Sequence, residues 1–244
     1  MNGRHKFVIA LVMAATTSYV FAQPMHDASQ ATITVSGTAG LIAAAPEASV
    51  KDASKIVIWL SPIDAVRPIS APGHTHYRLV QHHKRFEPGL LVVPVGSVVD
   101  FPNEDPWFHN VFSLYRGKRF DLGLYQAGSQ RSVRFDRIGP SYLFCNIHPE
   151  MTGVVLAIDS DLFSVSDKNG RYVIPGVAPG RYVLHVWYEN ATSESLQALQ
   201  RQVTIQDDSQ ILPAILVKAT KQAPANHKNK YGQDYDSEAT KTDY

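Results

Sequence analysis

The stretch from Tyr142 to Val155 holds the only cysteine of this 244-residue chain. It reads Tyr142-Leu143-Phe144-Cys145-Asn146-Ile147-His148-Pro149-Glu150-Met151-Thr152-Gly153-Val154-Val155. An aromatic and apolar run ends at Cys145, a short loop carries His148 and Met151, and a second apolar run continues to Ile158. The pattern predicts a strand, a loop and a second strand.

This loop presents three soft donors at intervals of three residues, namely the sulfur of Cys145, the imidazole of His148 and the thioether of Met151. Such a set favours copper over hard cations. A third strong ligand has to come from elsewhere, and the leading candidate is His109, which follows a strand-like run ending at 101–103. The alternative is that Cys145 is a buried free thiol, which is common in proteins.

The motif also resembles that of a known family. Two histidines and a cysteine with a weak axial methionine define the blue-copper electron-transfer site. The Cys-x-x-His-x-x-Met spacing, with Pro149 directly after the histidine, is similar to the ligand loop of amicyanin-type cupredoxins, and the pair His109-Asn110 matches the position of their first histidine. The resemblance covers about residues 74–159 and implies a cupredoxin Greek-key β-sandwich.

The resemblance further implies a ligand set and the contacts around it. It implies one type 1 copper held by His109, Cys145, His148 and Met151. Asn110 would tie the loop of the first histidine to the cysteine loop and hydrogen-bond near the sulfur. The face around His148 would admit electrons, with Pro149 and Trp107 as candidate docking residues. Such a face suits the small interface of a redox partner protein.

The N-terminal residues predict export. Arg4 and Lys6 precede an apolar run, and the junction of Ala22 and Gln23 fits a signal-peptidase site, so residues 1–22 are a predicted signal peptide, with a retained signal anchor as the alternative. Cleavage would lower the basic count from 23 to 21 against 22 acidic residues, a net charge of about −1. We expect a periplasmic or secreted protein without a membrane span, and the charge does not favour nucleic acid as a partner.

Short, evenly spaced strands are predicted through the middle of the chain. They cover 77–81, 89–94, 97–101, 110–114, 120–125, 131–135, 142–145 and 153–158, with turns at 94–96 and at Gly139-Pro140. This spacing is typical of a small β-sandwich. The predicted fold class is therefore all-β.

The C-terminal part resembles a second family, the carboxypeptidase-regulatory-like or prealbumin-type domain. The resemblance rests on an Asp-x-x-Gly-x-Tyr turn at 167–172 and a Pro-Gly-x-Tyr strand start at 179–182. Because the opening strands of that family are missing there, we expect a split sandwich formed by 31–62 and 161–217, with the cupredoxin domain (74–159) inserted. The alternative leaves a truncated C-terminal module. Residues 218–244 are charged and poor in apolar side chains, which predicts disorder.

Three functions remain open at this point. The first is an exported blue-copper electron carrier, and the second is a copper sequestration or delivery protein using the same ligands. In the third, the prealbumin-like part binds a carbohydrate or a protein. No catalytic constellation stands out, so an enzyme is not expected. A second metal site at His74, His76, His82 and His83 is the alternative to solvated histidines.

Overall fold

The computed structural model describes residues 32–43, 52–64, 76–114, 117–206, 209–220 and 228–235. The predicted signal peptide and His74 lie outside these ranges. The described residues form eighteen strands and one short helix, so the prediction of an all-β fold is confirmed. None of the described helices has the length and hydropathy needed to cross a bilayer.

Strands from both ends of the chain form two sheets that enclose one core. The first sheet contains β1 (Ile33–Ala43), β14 (Arg171–Val177), β17 (Ser209–Ile211) and β18 (Ile215–Ala219). The second has the order β13 (Phe163–Val165), β2 (Val57–Pro62), β15 (Gly180–Trp187) and β16 (Arg201–Ile205). Side chains from both sheets pack in the core between them, among them Val35, Ile58, Ile174, Leu184 and Val217.

In the first sheet, β1 is central. It pairs antiparallel with β14, and parallel with β17 through its first half and with β18 through its second. The chain therefore brings a strand near residue 40 between strands that lie beyond residue 170. The helix α1 (Ser193–Gln197) lies between β15 and β16 in sequence and is capped by Thr192, whose hydroxyl accepts from the Ser195 backbone N–H.

The intervening strands form a second sandwich. One sheet has the order β10 (Gln130–Arg134), β7 (Val98–Pro102) and β3 (His76–Arg78). The other has the order β6 (Leu90–Pro94), β12 (Thr152–Ile158), β11 (Gly139–Phe144), β8 (His109–Ser113) and β9 (Phe120–Tyr125). A hairpin of β4 (Val80–His82) and β5 (Arg85–Glu87) accompanies them. Their common core includes Cys145 and Met151.

Aromatic and branched side chains join the two sandwiches. Val57, Trp59 and Trp187 form one buried cluster with residues of β6 and β12. The Trp59 indole N–H donates to Asp159 Oδ1 over 2.8 Å, and its ring stacks on His185 with centroids 4.8 Å apart. His185, within β15, is thus a packing residue.

Three local predictions differ from the structure. Gly139 and Pro140, predicted as a turn, begin β11, and β8 pairs with β11 only at Phe144. Because β8 does not pair with β11 at Pro140, the missing N–H of Pro140 costs no hydrogen bond to β8. The apolar residues over 211–217 predict one strand, but the structure has two, β17 and β18. The strand predicted over 77–81 is divided between β3 and β4.

Candidate metal centre

The cysteine loop is closed at its base by backbone hydrogen bonds. Strands β11 and β12 end their pairing at Phe144 and Thr152. Beyond that pair, the Cys145 N–H donates to the Met151 carbonyl over 3.2 Å, and the Met151 N–H donates to the His148 carbonyl over 3.0 Å. The antiparallel strands and these two bonds fix both ends of the loop, so its side chains are held with little freedom.

Three donor atoms converge at this loop. Cys145 Sγ lies 3.8 Å from His109 Nδ1 and 3.7 Å from His148 Nδ1, and the two Nδ1 atoms are 3.1 Å apart. His109, at the start of β8, and Cys145 are fully buried, whereas His148 is partly exposed. The donor atoms lie within 4.8 Å of one another, close enough to share one metal ion.

The methionine of the loop belongs to the same core. Met151 has no exposed surface and packs in one cluster with Cys145. Its backbone bonds to Cys145 and His148 place it at the end of the loop. Sulfur, two imidazoles and a nearby thioether form a donor set that suits copper.

Burial sets the charge state of these donors. It lowers the pKa of His109, against the opposing effect of Asp105, and it lowers the pKa of His148 to about 4, helped by His109 and Lys84. Burial also raises the pKa of the Cys145 thiol, although backbone N–H groups near the sulfur oppose this. At neutral pH both imidazoles are therefore uncharged, and a metal would displace the thiol proton.

Asp105 is a contact of the site that the sequence pattern does not indicate. Its Oδ2 lies 2.8 Å from His109 Nε2, and the residue is only 2% exposed. The backbone N–H groups of His83 and Lys84 donate to its two oxygens over 2.7 and 2.8 Å. Burial alone would raise the pKa of this carboxyl, but these hydrogen bonds and His109 lower it overall. An aspartate four residues before a histidine in a loop is too common a pattern to indicate this role.

Asn110 contacts the site through its backbone. Its backbone N–H is one of the groups that bond the Cys145 sulfur. Its side-chain amide donates to Asp121 Oδ1 over 2.7 Å, while its Oδ1 is buried without a hydrogen-bond partner among the described residues. The contact expected near the sulfur thus comes from the main chain, and the side chain is directed to β9.

Residues 228–235 lie against the cysteine loop. The Lys230 N–H donates to Asn146 Oδ1 over 3.0 Å, its Nζ lies 2.8 Å from Asp121 Oδ2, and the Tyr235 hydroxyl donates to the Cys145 carbonyl over 2.8 Å. The prediction of disorder over 218–244 is therefore wrong for 228–235, and also for Lys218 and Ala219, which end β18. The composition of this segment predicts a solvated chain, because composition alone carries no information on the hydrogen bonds of Lys230 and Tyr235.

Removal of residues 228–244 is expected to speed copper loss from the loaded protein by up to about thirtyfold. The loop would lose the hydrogen bonds to Cys145 and Asn146, each worth about 1 kcal/mol. The rate of copper transfer to a chelator measures the effect, and a chain ending at Tyr235 is the matched control because it retains both contacts. Equal rates for the two truncated chains would contradict the prediction.

The candidate docking residues flank the site. Pro149 and Trp107 are partly exposed, and Lys84 Nζ lies 4.9 Å from the centre of the Trp107 ring. Phe108, between Trp107 and His109, is 57% exposed. The docking role of this surface stays a prediction.

Of the other histidines, His76 Nδ1 lies 2.9 Å from Asp100 Oδ2.

His82 and His83 stack on each other, with ring centroids 3.8 Å apart. Within the described ranges, the group formed by His109, Cys145 and His148 is the one cluster of histidine, cysteine and acidic side chains close enough to hold a metal. The described histidines 76, 82 and 83 therefore do not assemble a second site of this kind.

Comparison with solved structures finds similar chains. A purple cupredoxin from Nitrosopumilus maritimus is 23% identical, over 34% of this chain and 99% of that one, with a TM-score of 0.31. A reduced amicyanin variant is 21% identical, over 43% and 99%, with a TM-score of 0.33. A copper-containing nitrite reductase from Thermus scotoductus SA-01 is 22% identical, over 40% and 25%, with a TM-score of 0.34.

No protein-family model matches this chain, and no curated protein matches it either. Because these structural similarities are weak, a function for this chain has to be inferred from the geometry of the donor group.

Proposed function

We propose that this chain is an exported blue-copper electron-transfer protein that binds one type 1 copper through His109, Cys145, His148 and Met151. The observation that carries the proposal is the convergence of Cys145 Sγ and two imidazole Nδ1 atoms within 4.8 Å, although His109 and Cys145 are 36 residues apart. A thiolate with two imidazoles and a weak thioether is the donor set of blue-copper sites.

The bound copper would supply a one-electron couple between Cu(I) and Cu(II). The residues of the chain supply the rest. Backbone bonds close the cysteine loop, and His109 is held by β8, so the donors need not move when the charge changes. The burial of His109, Cys145 and Met151 keeps water from the metal, which disfavours exchange of ligands.

Partly exposed His148 is the ligand through which an electron would enter or leave. The redox partner protein would dock on the surface that carries Pro149 and Trp107. In this role the protein is an electron carrier and not an enzyme acting alone. Export through the signal peptide at 1–22 would place the protein in the periplasm or outside the cell.

We also propose that the two sheets containing β1 and β2 form one prealbumin-like domain. This domain would be divided into 31–62 and 161–217, with the cupredoxin domain (74–159) inserted between the two parts. Pairing of β1 with β14, and of β2 with β13 and β15, supports this division. The inserted part would then be held at both ends by a rigid sandwich.

Loading the mature protein with Cu(II) is expected to give intense thiolate-to-copper absorption in visible light, an EPR signal with narrow copper hyperfine splitting, and a reversible one-electron wave. The reason is the covalent bond that the Cys145 thiolate would form with Cu(II). A protein that binds Cu(II) but stays colourless would refute the proposal. A colourless Cu(I) form that passes its metal rapidly to an acceptor, without a reversible wave, would instead indicate copper delivery.

A further inference from the structure

The clearest feature beyond the donor set is the buried carboxylate behind His109. Asp105 and His109 are 2% and 0% exposed, and the carboxylate Oδ2 lies 2.8 Å from the ring Nε2. The proposed ligand atom, Nδ1, is on the opposite side of the ring and faces Cys145 Sγ and His148 Nδ1. The imidazole therefore stands between a full negative charge and the site where a metal would bind.

The carboxylate is fixed by a turn from another part of the chain. His83 and Lys84, between β4 and β5, have φ angles of 53° and 56°, which are uncommon for residues other than glycine. In this conformation their successive N–H groups both point at the Asp105 oxygens. Consecutive backbone N–H groups arranged this way form a concave site for an anion. The two residues with the uncommon backbone conformation are thus the ones that hold the Asp105 carboxylate.

The loop before His109 holds Asp105 from its other side. The Asp105 N–H donates to Asn103 Oδ1 over 3.1 Å, and the Asn103 amide donates to the Trp107 carbonyl over 2.7 Å. Both the backbone and the side chain of Asp105 are consequently immobilised. A group held so firmly can impose one orientation on the histidine it contacts.

We propose that Asp105 is a positioning residue for the copper site, which fixes the proton of His109 on Nε2 and favours Cu(II) over Cu(I). This inference rests on the proposed function. A carboxylate only accepts hydrogen bonds, so the ring nitrogen that faces it carries the proton and Nδ1 keeps its lone pair for the metal. Contacts of this type make the imidazole a stronger donor and fix the ring orientation.

The charge acts on the two oxidation states unequally. A negative carboxylate behind the ligand attracts the doubly charged ion more strongly than the singly charged one, and burial at this depth leaves the attraction poorly screened. Asp105 therefore stabilises the oxidised form. No bond is made or broken in this role, and the electron still passes between copper and the redox partner.

The test is the Asp105→Asn variant of the mature protein, compared with Asp136→Asn. The first change should lower the ratio of Cu(II) to Cu(I) affinity about tenfold, which raises the reduction potential by about 59 mV for one electron. Asp136 pairs with Lys118 and its side chain is 50% exposed, so its replacement removes the same charge where solvent screens it. The ratio should then stay unchanged. Equal effects of the two variants would overturn the inference.

A second measurement uses the wild-type protein without copper. Nitrogen-15 NMR of its histidines should show His109 protonated on Nε2 and unprotonated on Nδ1. A proton on Nδ1 would overturn the inference even if Asp105→Asn fails to fold. A copper-loaded wild-type protein without visible absorption would refute the proposed function, whereas the tautomer of His109 would still decide what Asp105 does to that ring.

Discussion

Replacing Cys145 with serine is expected to abolish the visible absorption of the copper-loaded protein and to weaken copper binding by more than roughly a hundredfold. Loss of a contact behind a ligand already lowers metal affinity about tenfold to a hundredfold, and the change here removes a ligand itself. A serine hydroxyl is a hard donor that stays protonated at neutral pH, so it cannot replace a thiolate toward a soft ion. Titration with copper under competition from a chelator, followed by optical spectra, measures both effects.

Met151→Leu serves as the comparison. The replacement conserves the volume of a fully buried side chain, so the core around Cys145 should stay packed. Because the thioether would be a weak ligand, the visible band should persist, and the reduction potential of the copper should shift. Thermal unfolding of the copper-free proteins provides the folding control, since serine and cysteine are similar in size. A serine variant that keeps the band would show that copper binds elsewhere.

The grouping of the candidate metal donors could be predicted from the sequence because the signal of the loop donors is local. Cys145, His148 and Met151 occupy one loop between two apolar runs, and such a loop needs only its two strands to bring them together. The place of His109 after a strand, together with the family resemblance, predicts it as a further donor. The structure brings the donor atoms of His109, Cys145 and His148 within 4.8 Å of one another. Patterns within a few residues of the chain are sufficient for the loop donors, whereas His109 also requires the family resemblance.

The contacts around the donors could not be predicted in the same way. Asp105 matters because the β4–β5 turn, about twenty residues upstream, folds back onto it. That turn has His83 and Lys84 at positive φ, where glycine or asparagine would have indicated a hairpin. The contact of Tyr235 with the Cys145 carbonyl spans 90 residues. Periodicity reports which face of a strand is buried, but it carries no information on such pairings.

Gly170→Ala is expected to destabilise the protein by about 3 kcal/mol or more. The Asp167–Gly170 turn, predicted from its sequence, joins β13 to β14, and Gly170 has a φ of +77°. Left-handed backbone alone costs alanine about 1–2 kcal/mol. In addition, a Cβ at this position would lie 1.8 Å from the Ala39 carbonyl oxygen, so the backbone of β1 would have to shift. The Ala39 N–H, which donates to the Gly170 carbonyl over 2.7 Å, would lose its partner.

Gly176→Ala separates these two contributions. Gly176 lies in β14 with a φ of +73°, but a Cβ there would meet no atom within 4 Å, so only the backbone term should appear. Urea unfolding of both variants measures the difference. Because Ala39 precedes the proposed inserted domain and Gly170 follows it, a larger effect at Gly170 supports close packing of the two halves of one sandwich. Equal destabilisation would mean that β1 does not lie against this turn, and the split-domain proposal would lose its main support.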